Sequence, residues 1–259
     1  MIREARAASV ASLGQTGQKA AVRSEGYLRG AWRRLRRDRF SMAALVLFAL
    51  ICLMSLAAPF ISAHVIHADP NRGRLTEKFR SPSSVHWLGT DDFGRDVAAR
   101  LVHAGRVSLS IGFGATAISL AIGVTLGLLA AYYGRWMDDA INAAIQVLNN
   151  IPGLFLFIMI SVLFRPGVAG LTVIFGVLGW TGIARLVRFR VLTERRRDYV
   201  DAATAIGVHP ARIMSRHILP NISSIILVLA GTEIFGVILA EAGISYLGFG
   251  VQIPTASWG

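Results

Sequence analysis

Very little in this sequence could perform chemistry. It holds one cysteine, Cys52, so no disulfide closes within the chain. That residue sits inside an apolar run, where it reads as a small buried hydrophobe. Lysine occurs only at Lys19 and Lys78, and neither follows a GxxxxG loop. The chain therefore lacks the phosphate cradle of a nucleotide-hydrolysing domain, and no cofactor is expected in it. No Ser-His-Asp, Cys-His or paired-carboxylate constellation has supporting context, so no catalytic residue is expected. His86 lies near Asp91 and Asp92, but no second cluster completes a metal-ligand set, and no metal is expected. Residues 1–26 lack the apolar core and cleavage site of a signal peptide. Charged residues make up only 16% of the chain, against about 25% in typical soluble domains.

What fills that space is apolar. Hydrophobic residues make up 54% of the 259, and the mean hydropathy is +0.54. Apolar surface on that scale aggregates in water, whereas lipid can cover it. The net charge of +12 is concentrated rather than spread. Residues 1–39 carry ten Lys/Arg against three acids, and residues 185–220 carry eight Arg against three acids. Basic flanks beside apolar spans are the positive-inside signature of a membrane protein. A nucleic-acid reader would carry such charge on a folded soluble face, and none is evident. The bilayer is the expected partner, and nucleic acid is not.

Crossing roughly 30 Å of hydrocarbon takes about 20 apolar residues. Five stretches qualify: 41–62, 107–131, about 140–164, about 168–187 and about 221–247. The expected organisation is a basic tail at 1–39, a first membrane helix at 40–62, an outer loop at 63–106 and a core membrane domain at 107–259. An inner loop at 188–220 interrupts that core. The tail is placed on the cytoplasmic side, although the 63–106 loop carries seven Lys/Arg against five acids. Gly112, Gly114, Ala117, Ala121, Gly123 and Gly127 would let neighbouring helices approach closely. Pro152 should kink the third span by removing a backbone donor. An odd number of spans leaves the last residues outside, and the abrupt Ser257-Trp258-Gly259 reads as a stop ahead of a sixth span.

The most informative segment is 199–220, YVDAATAIGVHPARIMSRHILP, a polar interruption between two apolar spans. It reads as two short helices hinged at Gly207. Asp198 or Asp201 suits the start of the first, where acids complement the helix dipole. Val200, Ala203 and Ile206 recur at spacings near three and are expected to share an apolar face. Gly207 permits the turn, and Pro210 suits the first turn of a second helix. Ile213, Met214, His217 and Ile218 give that helix a sticky side, and Pro220 is expected to end it.

The order Asp201-Ala202-Ala203, Gly207 and Ile218-Leu219-Pro220 resembles the coupling loop of ABC importer permeases, with Asp at the usual Glu position. In that family the loop, here including Tyr199, docks on a separate ATPase subunit. A second block, His86-Trp87-Leu88-Gly89-Thr90-Asp91-Asp92-Phe93-Gly94-Arg95-Asp96, resembles the outer-loop signature of the dipeptide, oligopeptide and nickel permeases. Further matches are Ala131-Tyr132-Tyr133-Gly134, Gly179-Trp180, Ala240-Glu241-Ala242, Tyr246-Leu247-Gly248 and Pro254-Thr255-Ala256-Ser257-Trp258-Gly259.

The resemblance covers residues 28 to 259. It implies an all-α polytopic chain with the ABC type I importer transmembrane fold, in the inner (plasma) membrane of a prokaryote. It also implies a second homologous permease subunit, two ATPase subunits that hold ATP and Mg, and an extracytoplasmic substrate-binding protein. Short peptides are the implied cargo, with nickel or another small solute as the alternative.

Two clusters admit two readings each. Thr90, Asp91 and Asp92 are good helix N-caps that Arg95 or Arg100 can pair with; alternatively this surface meets the binding protein. Glu233 and Glu241 are the only acids of the fifth span and lie about 80° apart around a helix. They either line a translocation path or make hydrogen-bonded helix contacts. A self-contained secondary transporter would need intramembrane ion ligands and two related halves. Only these two glutamates are available and no internal repeat is visible. A membrane anchor or scaffold is the third, non-transport reading.

Overall fold

The structure, a computed structural model, describes residues 35–259. The expected basic tail at 1–39 therefore lies almost wholly outside the described residues. The described residues fall into two units, 35–50 and 51–259. The described part of the first unit is the start of helix α1 (Arg39–Leu56). There Asp38 accepts from the Phe40 N–H at 3.1 Å, which satisfies one orphan donor at the helix start, and from the Ser41 hydroxyl at 2.5 Å.

The second unit begins with the rest of α1. A short helix α2 (Ala58–Ile61) runs into a π-helical turn, Ser62–Ile66. A loop with one 3-10 turn at Leu75–Glu77 follows. Next come α3 (Val97–Tyr133), α4 (Arg135–Asn149), α5 (Gly153–Phe164) and α6 (Val168–Glu194). Helix α7 (Asp198–Ala205) is followed by α8 (Pro210–Arg212), a second π-helical turn (Ile213–Ile218) and α9 (Leu219–Tyr246). The described residues form no named strand; their one isolated bridge joins Thr90 and Asp96. Four helical runs are long and apolar enough to cross a membrane, and α4 with α5 makes a fifth, bent by 76°.

The expected third span is thus not a kinked rod but two helices broken at Asn150-Ile151-Pro152. Pro152 stands at the N-terminal boundary of α5, where a missing N–H costs nothing. The helix that contains the second expected span begins at Val97, ten residues before 107. Asp96 explains this: its side chain caps the helix by accepting the Ala99 N–H at 2.8 Å.

Pro220 does not end a helix. Residues 210–246 run as one rod of 37 residues, about 55 Å long, well beyond the roughly 30 Å of hydrocarbon. The π-helical turn just before Pro220 shifts the pairing, with the Leu219 N–H reaching Met214 O. That shift frees a carbonyl from the ladder, so a residue without an N–H is tolerated there.

Helices α3 and α6 form the centre of the fold. A Cβ on Gly123 would lie 2.8 Å from Ile183, and one on Gly127 would lie 2.7 Å from Ala184 O. The close approach that small residues permit is therefore used here. The Ser119 hydroxyl crosses the same seam to Gly176 O at 2.9 Å. Around it lie three apolar clusters. One joins Leu128 and Ala131 of α3 to Val187 and Val191 of α6, then to α7 and the π-helical turn. Another joins Ile111, Leu171, Phe175, Val237 and Ile244 nearer the opposite end of α3. Ala130, Ile141, Ile145 and Trp180 tie α4 to α3 and α6 in the third.

Candidate functional site

Two constructions stand at opposite ends of α3. At its C-terminal end is the hairpin of α7, Gly207 and α8. Helix α7 is anchored through Val200 and Ala203, both buried against the α3 and α6 ends. It closes in a Schellman motif: Gly207 N–H donates to Thr204 O at 3.0 Å and Val208 N–H to Ala203 O at 3.1 Å. Gly207 supplies the left-handed conformation with φ +76°, and no atom lies near its missing Cβ.

The expected apolar face needs correction at one residue. Ile206 is 81% exposed, because α7 ends at Ala205 and the chain turns away at that point. Ile213, Met214 and Ile218 are sticky inwards, packed in the same cluster as Val200 and Ala203. What the hairpin leaves bare is a tip: Asp201, Ala202, Ala205, Ile206 and Gly207 are exposed.

Polar contacts surround the base of the hairpin. The Tyr199 hydroxyl donates to Glu194 Oε1 at 2.7 Å and accepts from Asn221 Nδ2 at 3.2 Å. Burial first, and then the Glu194 carboxylate, pushes the Tyr199 phenol up to about 12. Arg195 donates to Ala131 O at 3.2 Å and lies over the Tyr132 ring at 5.4 Å. Arg188 grips Asp138 with two bonds of 2.5 Å, tying α6 to the first turn of α4. Leu219 is half-buried and Pro220 exposed on the rod beside these contacts.

At the N-terminal end of α3 the GTDDFGRD block forms a closed polar clasp. The Asp91 carboxylate accepts the N–H groups of Phe93 and Arg95 at 2.9 Å each, and the Arg95 Nε at 2.7 Å. Arg100 adds a contact at 3.6 Å. Burial alone would raise the Asp91 pKa; the two N–H groups and the Arg95 guanidinium outweigh it and hold the group below its usual value. Asp96 uses its second oxygen on His86 Nδ1 at 2.9 Å, and the other His86 nitrogen lies 3.7 Å from Glu77. Thr90 donates to Glu77 O and accepts the Arg80 N–H at 2.8 Å.

Gly89 and Gly94 have φ of +76° and +71°, and a Cβ on either would strike the backbone of Arg80 or Arg74 at 2.4 or 1.9 Å. None of Thr90, Asp91 and Asp92 caps α3; that role falls to Asp96, while Thr90 and Asp91 are spent on closing the block. Asp92 stays largely exposed, with its side chain 3.9 Å from Arg95.

The two glutamates of α9 separate. Glu241 is 1% exposed and accepts the Ser108 hydroxyl at 2.8 Å and the Ser245 hydroxyl at 2.6 Å. Ser245 in turn accepts the Val251 N–H, and Ser108 accepts the Trp258 N–H, so Glu241 pins the last residues onto α3. This is a hydrogen-bonded helix contact. Glu233 instead lines a cavity of about 400 Å³ between α5, α6, α9 and the α4–α5 break. Sequence reasoning missed Ser108, Ser245, Tyr199 with Glu194, and Arg188 with Asp138. The signal present was a polar residue four positions from Glu241 inside an apolar run. Among the described residues no group of His, Cys, Asp and Glu is placed to hold a metal.

Comparison with known proteins places the chain in a family. A family model described as binding-protein-dependent transport system inner membrane component matches residues 123–259. A second, described as the N-terminal TM domain of oligopeptide transport permease C, matches residues 26–75. The chain is 38% identical over 236 residues to the dipeptide transport system permease protein DppC of Bacillus subtilis, covering 91% of this chain and 72% of that one. It is 33% identical over 242 residues to the oligopeptide transport system permease protein OppC of the same organism, covering 93% and 78%. It is also 34% identical over 228 residues to the glutathione transport system permease protein GsiD of Pectobacterium atrosepticum, covering 88% and 75%. The chain belongs to the family of binding-protein-dependent transport system inner membrane components, multi-pass permeases with the ABC type I transmembrane fold.

Proposed function

We propose that this chain is a permease subunit of an ATP-driven importer of short peptides. An extracytoplasmic binding protein delivers the peptide, and this chain with a second homologous permease forms the path. Two separate ATPase subunits hold ATP and Mg and supply the work, and this chain itself is not catalytic. Its N-terminus lies in the cytoplasm, which puts the arginine-rich hairpin on the ATPase side and the clasp outside.

The observation that carries the reading is the hairpin tip. A membrane protein presents Ile206 bare on a helix end that buried Val200 and Ala203 lock to α3 and α6. Push on that tip, and two membrane-spanning helices must follow, because packed cores transmit displacement rather than absorb it. The printed names of the relatives, which concern dipeptides, oligopeptides and glutathione, support a peptide as cargo. In the clasp, Asp92 and Phe93 remain exposed for a delivering protein.

The test is reconstitution with the neighbouring subunits. Uptake of a labelled dipeptide should require ATP, the binding protein and both ATPases. Uptake by this chain alone under an ion gradient contradicts the proposal.

A further inference from the structure

The cavity beside Glu233 is lined by Asn149 and Pro152 at the helix break, Phe157 and Phe175 on its walls, and Gly179 and Gly236. Most of that lining is apolar, and one carboxylate faces into it. Unlike Glu241, Glu233 has no hydrogen bond or ion pair with the described residues. Its position is specified nonetheless. A Cβ on Gly179 would sit 2.5 Å from Glu233 Oε1, so the bare backbone of α6 makes the room this carboxylate occupies.

The break at 150–152 adds a second source of negative potential. Helix α4 ends at Asn149 on the cavity wall, and a helix C-terminus carries about half an elementary negative charge. Asn149 is itself held, its Oδ1 accepting the Thr181 hydroxyl at 3.2 Å. Broken helices whose C-terminal ends face a cavity at membrane depth are suited to binding cations. An unpartnered carboxylate there is costly unless a cation or water meets it.

We propose that Glu233, with the C-terminal end of α4, makes this cavity a binding site for the α-ammonium group of the translocated peptide. The apolar walls of Phe157 and Phe175 accept side chains without choosing among them, whereas the carboxylate reads the cationic end that unblocked peptides share. The naming of a peptide rests on the function proposed above; the preference for a cation does not.

Cys52 is the only cysteine, so Cys52→Ser yields a chain free of thiols. Gly236 is exposed in the cavity with open space where its Cβ would be, so Gly236→Cys places a reporter there without a clash. In the assembled importer, the rates at which this thiol reacts with a cationic and an anionic methanethiosulfonate are compared, each normalised to a free thiol. The cationic reagent should react about tenfold faster or more, and Glu233→Gln should remove that preference. Dialanine should protect the thiol and N-acetyl-dialanine should not. Equal rates with Glu233 present, a preference unchanged by Glu233→Gln, or no reaction with either reagent overturns the site. The first of these is the result expected if a cation of the partner permease already pairs with Glu233. A cationic preference intact without protection by dialanine leaves the cation site standing and removes the peptide from it.

Discussion

The hairpin and the clasp are both compact and both end α3, yet they are built oppositely. The hairpin is apolar inside and held by Val200, Ala203, Ile213 and Ile218, with a bare apolar tip at Ile206. The clasp is polar inside, closed by Asp91, Arg95, Asp96 and His86, while Phe79, Trp87 and Phe93 face outwards. The role proposed for the hairpin accounts for the difference. A hairpin that transmits force needs a core that moves as one piece with the membrane helices, and close apolar packing supplies it. A loop of some thirty residues with a single 3-10 turn has no helix or sheet ladder to meet its backbone groups, which side-chain carboxylates and turns meet instead.

That contrast breaks most severely at Gly94. Its φ of +71° and the 1.9 Å approach of Arg74 O leave no room for Gly94→Ala, which should cost about 3 kcal/mol or more. Thermal unfolding of the purified chain in detergent checks it, and the hairpin should stay protected from protease while the clasp is cut. The reciprocal break is Ala203→Asp. Ala203 is 6% exposed among apolar side chains, so an unpaired carboxylate there should cost about 2–4 kcal/mol and release the hairpin to protease. An unchanged cleavage pattern would show that the hairpin is not held by its apolar face.

Smaller effects sharpen the comparison through pH. The folded-state pKa of Asp91 lies below its usual value, so its contribution is present above the unfolded carboxylate value, about 3.9, and is lost as pH falls through the folded value. Asp91→Asn should cost about 1–2 kcal/mol at neutral pH and flatten the acid limb of the stability profile below about pH 4. Identical acid limbs would place the acid sensitivity elsewhere. The smallest effect on stability belongs to Ile206→Asp, expected within about 0.5 kcal/mol because its side chain is 81% exposed.

How much of this was readable beforehand depended on the kind of residue. Long apolar runs announced the spans, and Gly207 with Pro210 announced the hairpin, because both signals are local in the chain. The burial of Val200 and Ala203 also followed from spacing. Ile206 did not, since spacing assumes that the helix continues and the Schellman turn stops it one residue earlier. The cap of α3 was misplaced for a related reason: Thr90, Asp91 and Asp92 are as good caps as Asp96 by residue type. Only the closure of Asp91 on Arg95 leaves the cap to Asp96. Pro220 read as a helix end because the pattern cannot reveal a π-helical turn that makes its missing donor harmless. The fates of Glu233 and Glu241 were least legible. They depend on Ser108 and on Gly179, which lie more than fifty residues away in the chain.

The account stands most directly on Ile206. ATP-driven uptake by the reconstituted importer should fall at least about tenfold with Ile206→Asp, as expected when a charge replaces a central apolar contact. The same variant should melt like the unmodified protein, and its ATPase subunits should dissociate more readily on purification. Normal uptake and normal ATPase retention by Ile206→Asp would contradict the claim that this tip is where the ATPase grips.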